Sequence, residues 1–323
     1  MANIRSGFQL VETKNMVLLE DVRNLMNSLW ELPADKKYVP CPNPSNLERK
    51  DLPTLHCQEY MVSPKLDGMR FFLLMGALEV NDVTYSVFVN RSYQVYVVNL
   101  KANHEELFDG TLLDGELTRE PSGTYKYTVF DAVVVEGYNL KNYPFSQRKD
   151  AYQGAVKHLK PPPGLLFEPK LWYPMANAPE IWASVRVLCD GLILQPLNGK
   201  LKPGIQADVF KWKPVDCQTV DFYISVPTPG HTLLECGHGA DIICASEINC
   251  YFDDLAPCPM ELTGRRQVYE CCYTRFEGKR LFFAVIKLRG DKQYANDARV
   301  VISTLQSLQD NITVEELAKA NYE

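Results

Sequence analysis

The sequence predicts a mixed α+β chain, with a larger body, a smaller β-rich module and a closing helix. Three observations carry that prediction. Val22, Leu25, Met26 and Leu29 recur at helical spacing near the N-terminus. From Tyr60 onward the pattern changes to short apolar or alternating runs broken by Gly, Asn and Asp, as strands require. The segment Lys213-Pro214 then separates these runs from a second β-rich stretch.

The elements follow in order. An amphipathic helix surrounds Val22–Leu29. Strands are expected at Phe71–Met75, Tyr85–Val89, Gln94–Val98, Tyr125–Val135, Gly191–Gln195 and Val209–Trp212. Lys160-Pro161-Pro162-Pro163-Gly164 is a loop, because three prolines cannot donate to a ladder. Thr219–Val226 and Leu281–Leu288 are strands of the second module, with Pro227-Thr228-Pro229-Gly230 as a turn. Thr313-Val314-Glu315-Glu316 has the form of a capping box ahead of a short helix. No internal repeat or low-complexity tract interrupts the pattern.

Composition narrows the function classes. The chain has 323 residues, 46% of them hydrophobic, which suits two domains better than one. No run approaches the ~18 apolar residues of a membrane span, and Met1 to Gln9 lack a charged-then-apolar leader. No membrane association and an intracellular setting are therefore expected. The ten cysteines then read as reduced thiols. Cys236, His238, Cys244, Cys250 and Cys258 lie close together, but without the paired spacing of a zinc motif; small core residues are the alternative. A net charge of −6 argues against extensive coating of a duplex, while leaving room for a local basic pocket at one phosphate-rich end.

The chemistry centres on Lys65-Leu66-Asp67-Gly68, directly after the run Glu59–Val62. A lysine at a strand end, followed by Asp and Gly in a turn, can project into a cleft, though alone the string reads as a surface turn. Its context changes that reading. Asp114-Gly115-Glu116, Phe130-Asp131, Asp190-Gly191-Leu192-Ile193, Lys211-Trp212-Lys213-Pro214 and Arg289-Gly290-Asp291-Lys292 follow in sequence, placing carboxylates and cations at or beside strand candidates. A lysine nucleophile must be a free amine although its ordinary pKa is ~10.4; nearby cations and partial burial lower it. Lys211 and Lys213 are suitable cations, because strand alternation would put both on one face with Trp212 on the other, in the core.

In this order the motifs resemble the covalent nucleotidyltransferases, which comprise mRNA capping guanylyltransferases and the ATP-dependent DNA and RNA ligases. The resemblance runs from about Pro42 to the tail. It implies a ligase-type (ATP-grasp-like) nucleotidyltransferase domain with antiparallel sheets over 1–218, an OB-fold β-barrel over 219–304, and a C-terminal helix over about 305–323 packing back on the first domain. It makes Lys65 the nucleophile that forms a phosphoramidate with a nucleoside monophosphate. Glu116 and Asp190 take the carboxylate roles at the ribose and at Mg2+ or Mn2+. Phe130 takes the stacking role at the base, although its apolar run alone would place it in the core. Arg70 and Arg91 match ribose or phosphate contacts, and Lys170 the basic residue near guanine.

The capping branch is favoured by three stretches. Arg289-x-Asp291-Lys292 resembles that branch's final motif, which meets the β- and γ-phosphates when the cleft closes. Asp190 to Pro214, with Lys211 and Lys213, followed by Asp221-Phe222, resembles the cellular capping signature. Pro42-Asn43-Pro44 before Glu48-Arg49-Lys50 resembles the entry segment. The implied substrates are GTP and the 5′-diphosphate end of nascent RNA; an ATP-using RNA or DNA ligase is the alternative. An RNA triphosphatase, a cap methyltransferase and RNA polymerase are the expected partners. The string His56-Cys57 does not continue into the H-C-x-x-G-x-x-R of a cysteine phosphatase, since Tyr60 and Ser63 stand where Gly and Arg are needed. A nuclear location is implied for a cellular protein and a cytoplasmic one for a viral protein.

Overall fold

In the computed structural model, residues 8–33, 39, 41–290 and 292–319 are described. The chain divides into two compact units. One holds residues up to Ser45, Pro53–Lys211 and the residues from Ala318; the other holds Asn46–Leu52 and Trp212–Leu317.

The first unit is built on two sheets. The larger runs in the order Leu165–Pro169, Tyr125–Val135, Thr111–Arg119, Met69–Ala77, Thr84–Val89 and Val95–Val97, with Tyr138–Asn139 added beside Tyr125–Val135. Its pairs are antiparallel except that of Leu165–Pro169 with Tyr125–Val135. The run Phe71–Met75 is continuously apolar because both sheet faces are covered. Phe71, Leu73 and Met75 face a core completed by the helix Phe145–His158 through Phe145, Tyr152, Ala155 and Val156. Phe72 and Leu74 face a second core completed by the helix Met16–Trp30 through Leu18, Val22, Met26 and Trp30. That N-terminal helix begins at Asn15, whose side chain accepts from the amides of Val17 and Leu18. It stops at Glu31, in the left-handed region with φ 58°.

The smaller sheet runs Asn43–Asn46, Ile205–Trp212, Leu192–Pro196, Tyr60–Pro64 and Tyr173–Pro174. Two chain segments cross from one sheet to the other. Residues 65–68 join Tyr60–Pro64 to Met69–Ala77, and residues 170–172 join Leu165–Pro169 to Tyr173–Pro174.

The second unit holds a six-stranded sheet in the order Asp241–Cys244, His231–His238, Thr219–Thr228, Gln267–Glu277, Arg280–Leu288 and Cys250–Phe252. Only the last pair is parallel. Phe222, Tyr269, Phe283 and Val285 form its core together with Cys236, Cys250 and Cys271, so three cysteines act there as small apolar residues. Among the described residues no group of three His, Cys, Asp or Glu side chains is placed to hold a metal ion. The fold class is thus a mixed α+β chain of mostly antiparallel sheets, and this six-stranded module fits an OB-type domain.

The closing segment differs from a single helix over about 305–323. It is two helices, Ala298–Asp310 and Val314–Ala318. Ala298, Val301 and Leu305 pack into the core of the second unit, not the body. Apolar spacing over Val301, Leu305 and Leu308 marks a helix but does not say which sheet it covers. The unit boundary likewise falls at Lys211/Trp212, and the second unit takes in Asn46–Leu52. Arg49 explains the last point: its backbone N–H donates to Asp310 Oδ2 and its guanidinium to Glu316 Oε1 at 2.9 Å. Trp212 is buried, as its place in the sequence suggests, and its indole N–H donates to Ile312 O at 2.7 Å.

Candidate active site

A cavity of about 680 Å³ opens in the first unit, between its two sheets. Lys65, Arg70, Arg91, Glu116, Phe130 and Lys170 all line it. Lys65 follows the end of Tyr60–Pro64, and its amide N–H donates to Gly191 O at 2.9 Å. The antiparallel register Leu192↔Pro64 therefore brings Asp190 alongside the lysine. Lys65 Nζ lies 2.9 Å from Asp190 Oδ1, with the two side chains 25% and 35% exposed.

Gly68 closes the turn. A Cβ there would stand 2.5 Å from Leu117 O, so only glycine permits this approach to the neighbouring strand. In return the Gly68 amide N–H donates to Glu116 Oε1 at 3.1 Å. Glu116 sits opposite Arg70 in the ladder. Burial pushes its carboxyl pKa up, against the pull of Lys170, Arg70, the Gly68 amide and Lys65.

Arg70 is held on three sides. Its Nε donates to Asp114 Oδ1 at 2.9 Å, a second nitrogen pairs with Asp114 Oδ2, and a third donates to Pro42 O. Asp114 lies two residues before Glu116 and so on the same strand face. Burial raises the Asp114 carboxyl pKa while Arg70 opposes the rise. Arg91 is exposed and donates to Asn43 Oδ1 at 3.0 Å, which ties the entry segment to the cavity rim.

Phe130 owes its position to a β-bulge. Asp114 pairs with Asp131, but the next pair is Gly115 with Val129, leaving Phe130 without an opposite residue. An extra residue of this kind re-aims side chains, and both Phe130 and Asp131 line the cavity. Strict alternation would have sent one of them to the core. Asp131 is then fixed by the fully buried Arg148, at 2.7 and 3.0 Å. Arg148 also donates to Tyr143 O and Gly199 O.

Lys170 is buried at 7% exposure, with its amine 5.6 Å from the Phe130 ring centre and 5.2 Å from that of Trp172. Burial pushes its pKa down to about 8; Glu116 opposes this and Lys65 adds to it.

Four expected residues lie elsewhere. Lys211 falls in the strand Ile205–Trp212 and does not line the cavity. Lys213 lies past the strand end, in the second unit, so the expected same-face strand pair does not form. Alternation holds only while the strand continues, and Pro214 has no amide hydrogen to extend it. Arg289 and Lys292 are in the second unit, both beside Asp221; Arg289 is at 3.1 Å. Asp291 lies outside the described residues. The site also gains residues that had been given no role. Asp114 shares a tripeptide with Glu116 and was within reach of the pattern. Arg148, Tyr152 and Trp172 carried no signal.

The fold and the lysine–carboxylate pair define the class: a two-unit α+β chain with Lys65 and its Asp190 partner where one sheet crosses to the other. Residues 5–162 match the family model described as mRNA capping enzyme, catalytic domain, and residues 252–318 match mRNA capping enzyme, C-terminal domain. The chain belongs to the mRNA capping enzyme family. It is 27% identical over 246 residues to the mRNA-capping enzyme subunit alpha of Kluyveromyces lactis, covering 66% of this chain and 52% of that protein. It is 25% identical to the mRNA-capping enzyme of Danio rerio, covering 87% and 49%. It is 25% identical to the Schizosaccharomyces pombe subunit alpha, covering 93% and 84%. The chain thus spans about half the length of the first two of these relatives. Among solved structures it is similar to mycobacterial DNA ligase D complexed with ATP and MES. That match has a TM-score of 0.44 and 16% identity, over 78% of this chain and 94% of the other.

Proposed function

We propose that this chain is an mRNA guanylyltransferase that works through a covalent Lys65–GMP. The observation that carries the reading is Lys65 Nζ beside Asp190, on a turn tied to Glu116, in one cavity with Phe130 and Lys170. The unprotonated Lys65 amine attacks the α-phosphorus of GTP. The N–P bond forms as the bond to the pyrophosphate oxygen breaks, and pyrophosphate leaves. The amine's surplus proton passes to solvent. In the second step a terminal oxygen of the 5′-diphosphate RNA end attacks the same phosphorus. Lys65 departs, taking up a proton, and a 5′–5′ triphosphate bridge results.

Glu116 and Asp190 are hard carboxylate donors, which fits an ion that takes most of its remaining ligands from phosphate and water. Mg2+ or Mn2+ bound there would supply charge neutralisation at the α-phosphate. Phe130 would stack on the base and Arg91 would meet the phosphate or ribose. Arg70, held by Asp114 and Pro42, would offer the nucleotide only a guanidinium already fixed in place. Arg289 and Lys292 are the basic residues that the resemblance assigns to the β- and γ-phosphates. Lys211 and Lys213 are part of the capping signature and remain candidate GTP-binding cations on the resemblance alone. A nuclear location, or a cytoplasmic one in a virus, goes with this activity, as do triphosphatase, methyltransferase and RNA polymerase partners.

Incubation with α-labelled GTP or ATP and either metal tests the reading. Label on the denatured chain from GTP alone is expected. Label from ATP alone would replace it with a polynucleotide ligase.

A further inference from the structure

Lys170 is the buried lysine of the cavity wall. It is nine-tenths buried, and among the described residues its ammonium has neither a hydrogen-bond nor an ion-pair partner. It lies against the rings of Phe130 and Trp172, within electrostatic reach of Glu116. An ammonium is a donor with no acceptor capacity, so the group it meets in the cavity must be an acceptor. Its placement is set by its surroundings.

Those surroundings are unusually well fixed. The Lys170 amide N–H donates to Val129 O at 2.7 Å. The Tyr152 hydroxyl donates to Lys170 O at 3.4 Å and accepts from the Trp172 indole N–H at 3.1 Å. Leu171 O accepts from Ser63 Oγ at 2.7 Å. Trp172 packs edge-on against Phe145, with ring centres 5.0 Å apart and planes at 72°. The crossing 170–172 is thus pinned at each of its three residues, from the larger sheet, from the helix Phe145–His158 and from the smaller sheet.

We propose that Tyr152 and Trp172 are positioning residues for base selection: their hydrogen bond and the Trp172 ring aim the Lys170 ammonium at an acceptor edge of the nucleobase. This rests on the guanylyltransferase reading and deepens it. Guanine presents two adjacent acceptors, O6 and N7, whereas adenine presents an amino group at position 6. A donor-only cation held rigidly selects the first and rejects the second. Rejection is effective because an unpaired donor in a buried site is penalised.

The test compares covalent labelling by GTP with labelling by 2-aminopurine riboside triphosphate, which lacks the 6-oxo group. In the wild type kcat/KM should favour GTP, and Lys170→Met should abolish the preference. Tyr152→Phe removes the hydroxyl without changing the ring that fills the core. Trp172→Leu removes both the indole N–H and the ring face. Each should lower the GTP preference about tenfold, through a higher KM for GTP at nearly constant kcat, with the analogue little affected. Trp172→Phe, which keeps a ring but loses the indole N–H, should recover only the part of the preference that the ring face supplies, and should resemble Tyr152→Phe. If Tyr152→Phe and Trp172→Leu keep the wild-type preference, or slow both nucleotides equally, the proposal is overturned while the guanylyltransferase reading stands. A preference that survives Lys170→Met overturns it as well. A wild-type chain that takes label from ATP and not GTP removes the underlying reading itself.

Discussion

Lys65 Nζ and Asp190 Oδ1 are 2.9 Å apart because two antiparallel strands end together, not because the residues are near in sequence. The contact holds the side chain at the cavity but also occupies the amine. Attack requires that bond to be given up, and a carboxylate engaged by another cation would release it. Lys65→Ala should therefore yield no covalent label. Asp190→Asn, which keeps shape but loses charge, should slow single-turnover labelling by about a hundredfold, as when one electrostatic partner of a transition state is removed. An Asp190→Asn rate equal to wild type would remove Asp190 from the chemistry.

Gly68 links the turn to the neighbouring strand through its missing side chain. In Gly68→Ala the new methyl would stand 2.5 Å from Leu117 O and 2.8 Å from Thr118 Cγ2. The backbone oxygen cannot easily yield, so the turn moves and the Gly68–Glu116 hydrogen bond is strained. A displacement of ~1 Å can cost about a hundredfold in rate. We expect that loss in labelling, with a stability cost of about 1–3 kcal/mol in urea denaturation. Full labelling activity would show that the turn has room to relax.

Arg70 and Asp114 form a buried pair whose value lies in being complete. Asp114 is 1% exposed and the Arg70 side chain 13%. Removing one partner strands the other's charge, which typically costs about 3–5 kcal/mol. Asp114→Leu should be destabilised by that amount. The double variant Arg70→Met/Asp114→Leu should recover part of the loss. Denaturant midpoints of the single and double variants decide the matter; strictly additive losses would mean that the two side chains act independently.

These contacts show which parts of the site were legible in the sequence. The strands were, because apolar runs such as Phe71–Met75 leave both faces buried. Lys65, Glu116 and Asp190 were, because each stands in a recognisable string, Lys65 and Asp190 beside strand ends and Glu116 within a strand. The position of Phe130 in the cavity was not derivable from alternation. It depends on a bulge, one unpaired residue in an otherwise regular ladder. Lys213 shows the opposite failure, since alternation was carried one residue past the end of its strand. Arg148 and Trp172 were invisible because their importance comes from what folding brings to them: Asp131 from a strand for one, Tyr152 from a helix for the other. The closing helix was legible as a helix, but a single amphipathic stripe does not name the surface it will cover.

Lys170 makes a pH-dependent demand on stability that can be measured without any substrate. Its pKa is about 8 in the folded chain, against ~10.4 when unfolded. Below 8 both states hold the proton, and the folded state carries the full cost of burying the charge. Between 8 and 10.4 the folded state has lost the proton while the unfolded state keeps it. Unfolding then takes up a proton, so this group's contribution to stability rises with pH across that window. The span corresponds to a change on the order of 3 kcal/mol. Lys170→Met carries no such charge. Its stability advantage over wild type should be largest near pH 7 and should shrink by up to that amount near pH 10, read as the difference in unfolding free energy between the two proteins at each pH. Comparing the two proteins largely cancels the titration of groups they share, apart from Glu116, whose own pKa depends on Lys170. Because Glu116 stays ionised from pH 7 to 10 in the unfolded chain, its contribution across the window should be the smaller one. A difference independent of pH would show that Lys170 keeps an ordinary pKa in the folded chain, with its ammonium open to solvent.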